Sequence, residues 1–200
     1  GLSIWFFIGS AILISLLAPI LWVFFLYDYQ KNRVLTFLDP LRDPLGSGYH
    51  IIQSKIALGS GGLFGKGFLQ GTQSHLNFLP EMQTDFIFTL LAEEFGILGT
   101  LTLLFLFMII IFYSLIIGLI CKSRFACFIS IGVSINIFYY VFINTAMVSG
   151  LIPVVGVPLP LVSYGGTSML CVMFGLGLVS NAYINRNKVL SRYHDGILGW

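Results

Sequence analysis

From Phe125 to Asn185 the chain contains no Asp, Glu, Lys or Arg, a run of 61 residues without a formal charge. A surface that faces water needs charged groups, so a run of this length reads as membrane-embedded protein. Composition agrees. Of 200 residues 57% are hydrophobic and 9% charged, with a mean hydropathy of +0.94, where soluble domains carry roughly 25% charged residues. The net charge of +2 is small and scattered, which argues against nucleic acid as a partner. The three cysteines, Cys121, Cys127 and Cys171, form no CxxC pair. That spacing argues against a zinc site or a disulfide framework.

A helix that crosses a bilayer needs about 20 apolar residues. Residues 2–26, 97–120, 125–148 and 165–184 qualify. The expected fold is therefore an all-α polytopic membrane protein, one membrane domain over 1–200, with four transmembrane helices and a large extracytoplasmic loop. Lys122 and Arg124 separate the second and third spans, and Arg186, Lys188 and Arg192 follow the fourth. Basic residues in short loops stay in the cytoplasm. This rule places 27–85 and 149–164 outside and makes 185–200 a cytoplasmic tail. Basic residues inside the long loop do not break the rule, because long loops translocate largely regardless of charge. Ile51, Ile52 and Ile56 stand at helical spacing within that loop and predict a short interfacial helix. The first apolar stretch lacks a basic start and a small-x-small cleavage site, so it does not read as a signal peptide. The chain begins at Gly1 without a Met, which suggests a fragment or a processed product.

Four motifs carry chemistry, each with a plainer alternative. Gly59–Gly67, with its run of glycines and Lys66, departs from the phosphate-loop pattern, since Ser60 stands where the first Gly should be and Gly67 replaces the Ser or Thr. It could still form a backbone anion nest fit for pyrophosphate, or be a turn between two interfacial helices. In Leu79–Phe86, Pro80 suits a first helical turn, and Glu81 and Asp85, four apart, share one helix face. Their mutual repulsion and the helix N-terminus act in opposite directions on basicity, and the outcome could be an ionised carboxylate able to accept a proton. The alternative is the inert acid enrichment common at helix starts. Glu93 and Glu94 fall at the outer interface, because Ile97–Ile120 alone covers about 36 Å at 1.5 Å per residue. They could bind a metal or cap helices, but the favoured reading is an interfacial acid pair with access to water. Finally, 150–168 is apolar yet holds Pro153, Pro158 and Pro160, so it cannot be a regular helix. Non-helical apolar backbone near a bilayer is buried in protein or lines a cavity, which favours the wall of a lipid or substrate groove over an ordinary loop.

The residues Asn144, Gly150-Leu151, Pro153, Gly156-Val157 and Leu161-Val-Ser-Tyr-Gly-Gly-Thr-Ser168 resemble the signature of the SEDS family (shape, elongation, division and sporulation). Gly71–Glu81 and Thr84–Phe88 resemble that family's large outer loop. The Pro-Val-Val-Gly-Val-Pro-Leu-Pro wording and the Gly-Thr-Gln-Ser run are closer to the elongation branch than to the division branch. The resemblance runs from about Leu26 to Lys188, and the four spans look like the last four of a ten-span bundle.

The resemblance implies a peptidoglycan glycosyltransferase of the bacterial inner membrane, acting on its outer face. It would polymerise lipid II beside a class B penicillin-binding protein and other membrane proteins of the elongation complex. The family's essential loop aspartate corresponds to Asp85, the expected base. Glu81 is expected to tune it or help hold a divalent ion such as Mg²⁺. Lys66, Lys55 and Arg42 are candidates to meet the departing pyrophosphate. Pro153, Pro158, Pro160, Ser163, Tyr164, Gly165 and Gly166 are expected to shape the groove for the lipid tail. Two other functions fit the same spans: a flippase that moves lipid II without chemistry, and a non-catalytic scaffold for the penicillin-binding protein.

Overall fold

The computed structural model describes residues 3–43, 46–71 and 83–188. Four helices in it are long and apolar enough to cross a membrane. The chain divides into two compact units, one ending at Ile52 and the other beginning at Gln53.

In the first unit, α1 (Ile4–Phe24) has a mean hydropathy of 2.4 and buries no residue. Its apolar surface faces outward all round, as suits a helix whose solvent is lipid. The chain turns polar at Tyr27, whose backbone N–H donates to Gln30 Oε1 at 3.1 Å and opens α2 (Asp28–Leu38). Asp28 in the first turn favours the positive end of the helix dipole. Asp39 then accepts from the Leu41 N–H at 3.2 Å and starts a single 3-10 turn, Pro40–Arg42. The next helix, α3 (Ser47–Ser60), carries the boundary between the units and contains all three isoleucines whose spacing predicted a helix.

The second unit is built on α4 (Ile87–Ile120), α5 (Arg124–Val148) and α6 (Gly166–Ile184). The tight connection Cys121–Ser123 makes α4 and α5 antiparallel neighbours. Phe107 and Ile111 pack with Ile137 and Val141 between them, and Met147, Val148 and Leu159 extend this core toward the loop after α5. Gly118 lets the helices approach, since a Cβ there would press on Ile131 at 2.8 Å. Ser134 Oγ donates across the interface to the Ile111 carbonyl at 2.9 Å. At the far end of the bundle the two short basic segments meet, with the Lys122 N–H donating to the Arg186 carbonyl at 3.0 Å.

α4 begins ten residues before the expected start of its span. The acids Glu93 and Glu94 interrupt the apolar run and hide this first part from a hydropathy reading. A kink at Gly96, with φ 66° and ψ −161°, separates the two stretches. The kink opens the helical bonds that the Ile97 and Leu98 N–H groups would give to the Glu93 and Glu94 carbonyls. All four groups find partners in the glycine-rich turn after α3. The Ile97 N–H donates to the Gly62 carbonyl at 3.0 Å and the Leu98 N–H to the Leu63 carbonyl at 3.2 Å. The Lys66 and Gly67 N–H groups donate to the Glu93 and Glu94 carbonyls at 2.9 and 3.0 Å. Side chains at Gly61 or Gly65 would collide with the Ala92 and Glu94 carbonyls, so the turn can lie this close only as glycine.

Candidate active site at the start of α4

The short turn before α4 is gripped from outside itself. Three successive carbonyls, those of Gln83, Thr84 and Asp85, each accept a hydrogen bond from a distant part of the chain. The Tyr164 N–H donates to Gln83 at 2.8 Å, Ser163 Oγ to Thr84 at 2.5 Å, and Asn144 Nδ2 to Asp85 at 2.9 Å. Asn144 also donates to the Val157 carbonyl at 2.7 Å and is wholly buried. Its single amide nitrogen therefore ties the aspartate peptide to the loop between α5 and α6.

That loop, residues 149–165, contains no regular helix, as its prolines require. It closes on itself through Ser163, whose Oγ accepts from the Leu159 N–H at 2.7 Å while its own N–H donates to the Leu159 carbonyl at 3.0 Å. Within this closure Leu161 is held at φ 62°. A non-glycine residue in that region costs about 1–3 kcal/mol and persists only where its surroundings fix it.

Asp85 is half-buried, and its carboxylate lies against the loop. A Cβ built on Gly156, itself at φ 79°, would sit 3.2 Å from Asp85 Oδ2. Phe86, next in sequence, is buried in the core and anchors the turn from the other side. Lys55, an exposed residue, reaches the start of the same loop, where the end of its side chain covers Gly150. Ser54 fixes it there, donating to the Val148 carbonyl at 2.7 Å and standing 3.2 Å from Thr89 Oγ1.

The remaining expected site residues separate. Lys66 Nζ pairs with Glu93 Oε1 at 2.7 Å. Of the N–H groups that an anion nest in the glycine turn would use, those at Gly65, Lys66 and Gly67 are engaged by the Gly61, Glu93 and Glu94 carbonyls. The water-accessible reading of Glu93 and Glu94 is also corrected, since they are 1% and 5% exposed. Arg42 is an exposed residue of the 3-10 turn in the first unit. Glu81 lies outside the described residues. Pro158 and Pro160 line a cavity of about 300 Å³ with Asn136, Tyr140 and the first two turns of α6. Pro153 is half-buried, the Tyr164 ring is exposed, Gly165 precedes α6 and Gly166 opens it. Among the described residues no group of three or more His, Cys, Asp or Glu gathers to hold a metal ion. The role of Asn144 in the grip was not deduced from the sequence, although an amide inside an uncharged span of 61 residues is itself a signal.

These elements define a multi-pass membrane protein in which a loop-gripped carboxylate stands at one end of a helix bundle. The family model described as "Cell cycle protein", which groups FtsW, RodA and SpoVE, matches residues 1–188. The chain belongs to this family. It is 54% identical over 193 residues to "Peptidoglycan glycosyltransferase MrdB" of Escherichia coli strain K12, a match covering 96% of this chain and 52% of that protein. It is 42% identical over 166 residues to "Peptidoglycan glycosyltransferase RodA" of Treponema pallidum, covering 83% of this chain and 38% of the relative. A solved chain from "Structural coordination of polymerization and crosslinking by a peptidoglycan synthase complex" aligns with a TM-score of 0.66 at 32% identity, over 92% of this chain and 49% of that one. The chain thus spans about half the length of the curated relatives it matches.

Proposed function

We propose that this chain carries the catalytic aspartate of a peptidoglycan glycosyltransferase that polymerises lipid II into glycan strands during cell elongation. It would do so on the outer face of the bacterial inner membrane, with a class B penicillin-binding protein as partner. The supporting comparisons are the match to MrdB and the likeness to a chain of a peptidoglycan synthase complex. The observation that carries the reading is the Asp85 carboxylate, half-buried and fixed by its own backbone beside the proline-rich loop.

Asp85 accepts the proton of the acceptor sugar's 4-hydroxyl. The hydroxyl oxygen forms the new bond to the donor's anomeric carbon while the bond from that carbon to the lipid pyrophosphate breaks. Pyrophosphate leaves as an anion and needs no proton, so a second carboxylate of the glycosidase kind is not required. A single in-line displacement inverts the anomeric centre. Lys55, beside the loop, supplies positive charge toward the leaving group. Lys66 is assigned to the Glu93 pair instead. Magnesium is usually held by one or two carboxylates together with substrate phosphates. A divalent ion would therefore arrive with the pyrophosphate, with Glu81 as its protein ligand, and the proton transfer to Asp85 does not depend on it. Pro158 and Pro160 offer apolar wall for the lipid tail.

The test is polymerisation of lipid II by the full-length protein with its partner, read as glycan length on a gel. Asp85→Asn should abolish polymer while the protein still folds and inserts. Polymer of normal length from that variant would overturn the assignment of the base.

A further inference from the structure

We propose that Asn144 and Ser163 are positioning residues that set the Asp85 carboxylate for proton transfer, so that the proline-rich loop governs turnover rather than only contacting substrate. The inference rests on the reading of Asp85 as the base. Two side chains, 59 and 79 residues away in sequence, converge on the adjacent carbonyls of Asp85 and Thr84. Fixing both carbonyls fixes the backbone on each side of the Asp85 Cα, and with it the direction in which the side chain leaves. Gly156 then stands where a side chain would press on Oδ2. Asn144 carries a further sign. Its Oδ1 is buried without a hydrogen-bond partner, although its Nδ2 bridges two carbonyls. Stability alone disfavours a buried amide left half-satisfied, so the residue's value lies in what its nitrogen holds.

The experiment uses the full-length protein with lipid II and measures kcat, KM and melting temperature for Asn144→Ala, Ser163→Ala and Ser163→Thr. Both alanine variants should lose ten-fold or more in kcat, with KM changed less than two-fold and the protein still folded at the assay temperature, although each strands buried carbonyls and lowers the melting temperature. Threonine keeps the hydroxyl and should restore most of kcat. In an Asp85→Glu background, Asn144→Ala should add little further loss, because the two act through one group. Unchanged kcat in a folded alanine variant would overturn the proposal, as would losses that track melting temperature and are not rescued by threonine. If Asn144→Ala does not accumulate, the Ser163 pair decides. Survival of polymerisation in Asp85→Asn is a separate outcome that removes the base itself.

Discussion

Two irregular segments of the second unit meet the first part of α4, and they use their polar groups in opposite ways. The glycine-rich turn turns inward. Its backbone replaces the helical bonds opened at Gly96, and its one cation is committed to Glu93. The proline-rich loop also supplies hydrogen bonds to neighbouring backbone, yet it leaves a carboxylate half-exposed at its edge. From sequence both look like ligand sites, the proline-rich segment as a groove wall and the glycine turn through its lysine and glycines, which suggest bound phosphate. The structure teaches that such a signature is ambiguous until the destination of each N–H is known. A turn whose donors already face carbonyls has little left to offer an anion.

The comparison breaks most decisively at the two carboxylates. Asp85→Asn should lower turnover by on the order of 10²–10⁴-fold, the usual range for a positioned base, with melting temperature unchanged. At the other segment the expected loss is of stability. Lys66→Met strands the buried Glu93 charge and should cost about 3–5 kcal/mol in denaturation, whereas Lys66→Met with Glu93→Leu should recover most of it. A folded double variant that still polymerises lipid II would confirm that the glycine turn is structural. If its turnover falls as far as that of Asp85→Asn, the contrast between the segments fails. A smaller effect is expected at the kink. Gly96→Ala forces an L-residue to φ 66° against the backbone of Leu63 and Gly65, and should cost about 1–3 kcal/mol by thermal melting. The smallest belongs to Lys55, an exposed residue. Lys55→Ala should leave stability within about 0.5 kcal/mol and lower kcat roughly ten-fold, equivalent to about 1.4 kcal/mol of transition-state stabilisation.

Much of the bundle was legible because hydropathy is a local property. Three of the four spans agree with their helices to within two residues at each end, and the prolines of 150–168 were enough to exclude a helix. The first part of α4 was not legible. Glu93 and Glu94 look like the edge of a membrane span until Lys66, 27 residues earlier, is known to lie beside Glu93. Asp85 was picked out by its place before a long apolar run and by the family motif, but neither reveals how it is held. The hydrogen bonds from Asn144 and Ser163 cross most of the unit, and no local pattern encodes a contact between residues so far apart. The lipid-groove residues divided for a similar reason. Adjacent positions of an irregular loop point in unrelated directions, so Ser163 turns inward while the Tyr164 ring stays exposed.

The double role of Ser163 bears on how the protein is made. The same oxygen closes the proline-rich loop and holds a segment translated 79 positions earlier. A nascent chain that has made Asp85 but not yet this serine lacks two of the three bonds that grip the turn, those from Ser163 and Tyr164. The turn around Asp85 can therefore be fully seated only once the chain has been made through Tyr164.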